Sequence, residues 1–393
     1  MVDSQREVER GGEHRVSPLE LFFDLVLVFG FTQVTRLLAA DPTWSGFLHG
    51  MLVLAALWFA WNAYAWLTSA TDVDEGGVRL AMLASMGAML VTALAVPGAF
   101  ADDALIFGVG YFVVRFLHLV LSAIVARGDP DPWGAIVRFA PTAIIGSSLL
   151  VVAAFFEGGA RIAIWVVALA IDYLGPVVVG MGRGWRVAAE HFAERYGLII
   201  LIALGESIIA IGVGVSAGAH LDAGTVMLVA LGVVLVSALW WLYFDVAAIF
   251  ARTRLMETVG LERARLARDS YAYLHLPMVA GIVLLAFGIE TSLHQIGEPL
   301  DIVAAVALCG GTAALPPRAH RLPLPSDALS LPPTNAGCSR AARRHPRCCR
   351  GPGARFTRPG YRCVLSRGRL RSDPPSRRAD ADPAPRGAWL TSR

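Results

Sequence analysis

Lysine is absent from this chain, and charged residues of either sign are scarce. Only 17% of the 393 residues are charged, whereas 55% are hydrophobic. A soluble globule of this length needs more polar surface than such a composition supplies, so an ordinary soluble protein is excluded. The composition indicates a polytopic membrane protein.

Residues 1–312 also lack the signatures of common enzymes. They contain no HExxH, no CxxC, no phosphate loop and no GxSxG nucleophile elbow. Their single cysteine, Cys309, has no partner for a disulfide. We therefore expect no catalytic residue, no metal and no cofactor here. An intramembrane hydrolase that uses paired carboxylates stays open as an alternative.

A cleavable signal peptide is not evident either. The first eighteen residues are polar and charged, and the apolar run after them has no small-residue cleavage site. Residues 1–18 are expected to be a cytoplasmic segment, and the first apolar helix is expected to remain as an anchor.

Long apolar runs occupy most of the chain between residues 19 and 315. A bilayer core of about 30 Å needs about 20 apolar residues of helix. Nine windows fit, and a tenth at 300–315 is shorter. The sequence predicts an all-α fold: an integral membrane helix bundle of nine complete transmembrane helices plus a truncated tenth, in a domain that covers 19–315. The nine windows are 19–38, 47–68, 78–98, 104–126, 135–156, 161–181, 196–216, 224–249 and 271–292.

The arginines outside these windows and near their ends predict the orientation of the bundle. If the N-terminus is cytoplasmic, thirteen arginines lie in inner segments and two, Arg36 and Arg161, lie in outer ones. Arginine favours cytoplasmic loops, so this arrangement predicts a cytoplasmic N-terminus. The inner arginines are Arg6, Arg10, Arg15, Arg79, Arg127, Arg183, Arg186, Arg195, Arg252, Arg254, Arg263, Arg265 and Arg268.

Several charged or titratable residues lie inside the apolar windows or at the entry to one, and a charge deep in a spanning helix costs roughly 2.5–3.5 kcal/mol on insertion scales. Three fall near the bilayer midplane, and we expect Arg115, Asp172 and Glu206 to form one paired cluster. A second group lies nearer the cytoplasmic side. In it, Glu20 and Asp24 are four residues apart and share one helical face. This second group consists of Glu20, Asp24, His118, Arg138, His191, Glu194 and Arg195.

Two explanations of these residues stay open. In the first, they line a path for a proton or a small cation, with Asp24, Asp172 and Glu206 changing charge in turn and His118 or His191 assisting. In the second, they are static ion pairs that fix the bundle, as expected of a structural or stress-related membrane protein. Transport is the leading interpretation for Glu206, because small residues flank it at Gly205 and Ser207.

Two further features have plain interpretations. The stretch 251–270 is amphipathic and is predicted to be a cytoplasmic connector at the lipid headgroups, with a calmodulin-like partner site as the alternative. The tryptophans are predicted to pack between helices or anchor them at the interface. They are Trp58, Trp61, Trp66, Trp240 and Trp241.

Two long stretches resemble the signatures of the bacterial low temperature requirement A family. They are Leu19-Glu-Leu-Phe-Phe-Asp-Leu-Val-Leu-Val-Phe-Gly-Phe-Thr-Gln-Val-Thr35 and His191-Phe-Ala-Glu-Arg-Tyr-Gly-Leu-Ile-Ile-Leu-Ile-Ala-Leu-Gly-Glu-Ser-Ile-Ile-Ala-Ile-Gly212. The resemblance covers about residues 14–312. It implies a multi-pass protein of the bacterial inner membrane, named for a cold-growth phenotype and without an established molecular activity. It also implies signature positions, without roles, at Glu20, Asp24, Gln33, His191, Glu194, Arg195 and Glu206.

The resemblance ends where the composition changes. Residues 1–312 hold 17 arginines against 27 acidic residues, whereas 313–393 hold 17 against four, with 13 of the 22 prolines. We interpret 316–393 as a disordered, out-of-frame tail that begins after a frameshift near residue 312.

A functional interpretation of this tail is an alternative to disorder. Nucleic acid or acidic lipid would suit its arginines. Its possible metal ligands match no zinc spacing. We expect no nucleic-acid partner, and we expect the bilayer and a proton or small cation as partners. The possible ligands are Cys338, His345, Cys348, Cys349 and Cys363.

Overall fold

Helices form every regular element of the part of the chain that the structure describes. The computed structural model describes residues 16–69, 71, 76–178, 184–216 and 221–314. The predicted all-α fold is confirmed. The helices are α1 (Pro18–Ala40), α2 (Trp44–Ser69), α3 (Gly76–Leu94), α4 (Ala104–Val125), α5 (Pro130–Ala153), α6 (Gly158–Val178), α7 (Ala189–Ser216), α8 (Ala223–Glu257), α9 (Gly260–His294) and α10 (Ile302–Ala314).

Nine of these helices, α1 to α9, are long and apolar enough to cross a bilayer, and α10 is a shorter apolar helix. The outer faces of several helices are apolar as well as exposed, with Leu80, Val137, Val178 and Val234 among the exposed side chains. Apolar surface on this scale is typical of contact with lipid. The chain is therefore a multi-pass membrane protein. Its orientation stays a prediction, and the expectations for 1–15 and 315–393 fall outside the described residues.

The start of α1 is specified locally. Ser17 is the N-cap residue, and its hydroxyl accepts a hydrogen bond from the Glu20 backbone N–H at 3.2 Å. Glu20 returns a bond, because its carboxylate accepts from the Ser17 backbone N–H at 3.0 Å. This capping box, with Pro18 at the first helical position, begins the helix. Glu20 is thus part of a helix start as well as a buried acid of the bundle.

The last long helices extend beyond their predicted windows. α7 begins at Ala189 rather than at residue 196, α8 continues to Glu257, and α9 begins at Gly260 with a φ of +57°. Only Thr258 and Val259 interrupt the predicted connector 251–270, which is otherwise helical. Hydropathy detects only the apolar part of a helix, whereas arginine and glutamate continue it outside the bilayer.

Helix α2 lies at the centre of the bundle. It is the most buried of the nine long helices and α8 is the least buried. It packs against α1, α4, α6, α7 and α9. Trp58 and Trp61 are fully buried on α2, and the Trp58 indole N–H donates to the Ala272 carbonyl at 2.7 Å. The predicted packing role is confirmed for these two residues, whereas Trp240 and Trp241 are exposed on α8.

Candidate functional site

The inner cluster is built where α1 meets α7. We use this name for Glu20, Asp24, Thr68, His191 and Arg195. The Arg195 guanidinium contacts both acids, with Nη1 3.0 Å from Glu20 Oε1 and Nη2 3.1 Å from Asp24 Oδ1. All three side chains are buried. The single guanidinium of Arg195 thus neutralises only part of the negative charge of the two carboxylates on α1.

Further donors complete the inner cluster. His191 Nε2 lies 3.0 Å from Glu20 Oε2, and Arg195 also donates to the Thr68 hydroxyl. The Trp61 indole N–H donates to Asp24 Oδ1 at 2.6 Å. The cluster thus brings two carboxylates together with one guanidinium and one imidazole.

A separate ion pair joins α4 to α6. Arg115 Nη2 lies 3.5 Å from Asp172 Oδ1, and both side chains are buried. The Tyr111 hydroxyl donates to Asp172 Oδ2 at 2.9 Å. The guanidinium of Arg115 lies over the rings of Phe59 and Phe139, at 4.8 Å and 5.5 Å from their centroids. Aromatic faces stabilise a cation in a site that water does not solvate.

A glycine makes room for this pair. A Cβ atom on Gly146 of α5 would lie 2.8 Å from Asp172 Oδ1 and 3.1 Å from the Ala168 carbonyl oxygen. Real Cβ atoms essentially never lie within 3.0 Å of another atom, so the contact with Asp172 Oδ1 forces a shift. Any larger residue at Gly146 would therefore displace the carboxylate of Asp172 or separate α5 from α6.

Glu206 lies apart from this pair. Its carboxylate accepts a hydrogen bond from the Thr32 hydroxyl of α1 at 2.8 Å. No arginine or histidine of the described residues forms an ion pair with it, although Glu290 and Arg36 are near enough to act on it electrostatically. The predicted grouping of Glu206 with Arg115 and Asp172 is wrong. Equal depth along two helices does not bring their side chains together unless the helices also face each other.

Apolar side chains separate Glu206 from the inner cluster. Asp24 and Thr32 are eight residues apart on α1, which corresponds to about 12 Å along the axis. Leu27 and Phe31 of α1 and Ile199 of α7 are fully buried at these heights, in one hydrophobic core. An apolar layer of Leu27, Phe31 and Ile199 therefore lies between the inner cluster and Glu206.

His118 lines a cavity instead of joining the inner cluster. Its Nε2 lies 3.4 Å from Ser122 Oγ one turn along α4. The cavity has a volume of about 120 Å³ and aromatic walls that include Trp66 and Trp185. A neighbouring cavity of about 50 Å³ shares His118 and both tryptophans.

The two remaining charged candidates are exposed. Glu194 is exposed beside the buried Arg195 and lines a groove between α7 and α8. Arg138 is exposed on α5. Neither residue belongs to the inner cluster or to the Arg115–Asp172 pair.

Several residues of the site were missed in the sequence. Ser17 had a signal, because Ser17-Pro-Leu-Glu20 is a capping-box pattern. Tyr111 had a weaker one, since it lies one turn before Arg115 on the same helical face. No sequence signal marks Thr32, Trp61 or Thr68, because each meets its charged partner only through packing between helices.

Comparison with known proteins supports the resemblance. The model of a family described as bacterial low temperature requirement A protein (LtrA) matches residues 15–315. The chain belongs to the LtrA family. An uncharacterised protein of Rhizobium meliloti (strain 1021) is similar to it, with 30% identity over 306 residues, which is 74% of this chain and 73% of that protein. No solved structure matches.

In this LtrA-family protein, the two signature stretches lie on α1 and α7, which pack against each other. Glu20 and Asp24 on one stretch meet His191 and Arg195 on the other. Glu206 on α7 accepts its hydrogen bond from α1 as well. Gln33 is also buried on α1. Most of the signature positions that the resemblance implies thus meet at the interface of α1 and α7, whereas Glu194 lines the groove between α7 and α8.

Proposed function

We propose that this protein couples transport across the bacterial inner, cytoplasmic membrane to a proton or a small cation, with Glu206 as the carboxyl group that takes it up. The observation that carries the proposal is the environment of Glu206. It is buried in the middle of a spanning helix, and its partner is the hydroxyl of Thr32 rather than a cation. The proposal assigns no catalytic residue, metal or cofactor.

An isolated charge inside a membrane is costly. An ionised carboxylate without a counterion is strongly unfavourable in an apolar medium, and a bound proton or cation removes that cost. Glu206 has no such counterion among the described residues, whereas Glu20, Asp24 and Asp172 each contact an arginine. Glu206 is therefore the acid best suited to exchange its charge.

The other polar groups then have distinct roles in the proposal. Arg36 and Glu290 lie on the predicted outer halves of α1 and α9, so we propose that they lead from Glu206 towards the outer surface. The inner cluster holds α1 against α7 on the other side. The apolar layer of Leu27, Phe31 and Ile199 closes the path between them, and transport requires this layer to open.

A structural role is the second candidate, and the inner cluster is the observation that favours it. Its acids are fully buried and each contacts Arg195. Pairs of this kind fix helices in place without carrying anything. Under this candidate the whole bundle is static, and Glu206 exchanges neither a proton nor a cation.

The test is ion flux into proteoliposomes. The full chain is reconstituted and exposed in separate arms to a pH gradient and to a sodium gradient, and the Rhizobium meliloti relative is measured in parallel. We expect flux above that of protein-free vesicles in one of the two arms. Absence of flux in both arms for both proteins would contradict the proposal.

A further inference from the structure

The groove between α7 and α8 is a second feature of this bundle, separate from the inner cluster. It has a volume of about 560 Å³ and is open at the surface of the bundle. Ligand sites in proteins have volumes of about 300–1,000 Å³, so a molecule of substantial size fits here. Phe244, which lines the groove, lies in the π-helical turn Tyr243–Ala247 that interrupts α8. Such turns are frequent at functional sites.

The groove is polar at one end and apolar along its length. Glu190 and Glu194, in the first two turns of α7, line the polar end with Arg252 of α8. Leu198 and Leu201 continue along α7 from there. From Glu190 to Leu201 the helix rises by about 16 Å, which takes the groove from the end of the helix towards the bilayer interior.

The charges at the polar end do not balance. Arg252 forms an ion pair with Glu190, and both side chains are about half exposed, at 52% and 53%. Glu194 is exposed too, and no arginine or histidine within the described ranges forms an ion pair with it. Two carboxylates therefore face one guanidinium, which leaves a net negative charge beside a cation.

We propose that this groove binds a phospholipid with a primary ammonium headgroup, such as phosphatidylethanolamine. The ammonium donates hydrogen bonds to Glu194 and Glu190, the phosphate pairs with Arg252, and an acyl chain lies along Leu198, Leu201 and Phe244. The headgroup carries one positive and one negative charge, which complements the carboxylates and the guanidinium.

The same chemistry disfavours the other common headgroups. An anionic headgroup such as that of phosphatidylglycerol brings its phosphate to a site with net negative charge, and it has no ammonium for Glu194. A choline headgroup is positively charged, but its quaternary nitrogen has no N–H to donate. The site thus selects a lipid headgroup both by its charge and by its ability to donate hydrogen bonds.

Native mass spectrometry tests the proposal. The full chain is purified in detergent and mixed with equal amounts of phosphatidylethanolamine, phosphatidylcholine and phosphatidylglycerol that have identical acyl chains. We expect the phosphatidylethanolamine adduct to be retained most strongly. Glu194→Gln should lower this retention about fivefold, the effect of about one charge at the membrane surface.

The matched control is Glu262→Gln. Glu262 is an exposed acid near the start of α9, outside the groove, and the same substitution there should leave the adducts unchanged. Equal retention of the three lipids by the wild-type protein, or a preference for phosphatidylglycerol, would overturn the proposal. A dimer that the Glu194 variant abolishes would overturn it as well, because the groove would then be an interface between two copies.

A second variant tests the apolar part of the groove. A Cβ atom on Gly197 would meet only the Phe244 ring, at 3.8 Å, so the backbone tolerates a side chain here. In Gly197→Leu the added side chain fills the space of the proposed acyl chain, and retention of phosphatidylethanolamine should fall. Unchanged retention in this variant would show that the lipid binds elsewhere.

Discussion

The buried acids of this protein differ in their partners. Glu20 and Asp24 contact Arg195, and Asp172 contacts Arg115. Glu206 instead accepts a hydrogen bond from a neutral hydroxyl. A paired acid holds helices together, whereas an acid without a cation can take up a charge and lose it again. The proposed function depends on this difference between residues of the same chemical type.

Removal of Arg195 should be costly, because it leaves Glu20 and Asp24 buried without their cation. For Arg195→Gln we expect a loss of about 3–5 kcal/mol in the free energy of unfolding. The control is Arg186→Gln, since the Arg186–Asp129 pair is exposed and such a pair contributes about 0–1 kcal/mol. Unfolding in detergent measures both, and equal losses would contradict the role of the inner cluster.

Substitution of Glu206 should change stability much less than substitution of Asp172. In Glu206→Gln the amide oxygen still accepts from Thr32, so we expect a change below about 1 kcal/mol. Asp172→Asn leaves Arg115 buried without a counterion, and about 3–5 kcal/mol should be lost. The free energies of unfolding of the two variants, measured side by side, test this difference. A larger loss for the Glu206 variant would assign it a structural role.

Part of the site was predictable from single residues. Spacing placed Glu20 and Asp24 on one face, and the same reasoning brought His191 and Arg195 to the same depth. Sequence reasoning failed for Glu206 because depth is read along one helix, whereas neighbours depend on how helices are rotated and packed. The sequence also grouped Glu194 with His191 and Arg195, but its side chain is exposed and lines the groove between α7 and α8, whereas theirs are buried.

At the scale of helices, glycine determines how closely α5 can approach α6. Gly146→Ala places a Cβ against the carboxylate of Asp172, so this variant should lose stability and disturb the Arg115–Asp172 pair. Gly87→Ala is the matched control, because nothing lies within 4 Å of the added Cβ on α3. Alanine is intrinsically favoured over glycine in a helix by about 0.5–1 kcal/mol. Unfolding temperatures should therefore move in opposite directions, and a stabilised Gly146 variant would contradict the packing.

The helices themselves were mostly predictable. Windows of apolar residues located all nine long helices, because a bilayer demands that length and composition. The windows gave the wrong boundaries at the starts of α7 and α9 and at the end of α8, where polar helical turns continue each helix beyond the apolar residues. Hydropathy alone has no signal for such extensions, although their arginines and glutamates are good helix formers.

At the scale of the whole chain, the family match ends at residue 315, close to the composition change near 312. If a frameshift lies there, another forward reading frame of the DNA downstream should encode further apolar helices. Translation of the two other frames checks this directly. If neither frame contains a window of about 20 apolar residues, the frameshift hypothesis is wrong.

For the molecule as a transporter, Glu206 should carry the charge while the other buried acids hold the bundle together. The most direct measurement is the initial rate of ion flux per folded molecule in proteoliposomes, for the wild type, Glu206→Gln and Glu157→Gln. Glu157 is an exposed acid before α6, so its variant is the matched control. We predict that Glu206→Gln abolishes flux while Glu157→Gln retains it. Equal flux in the two variants would contradict the assignment of Glu206.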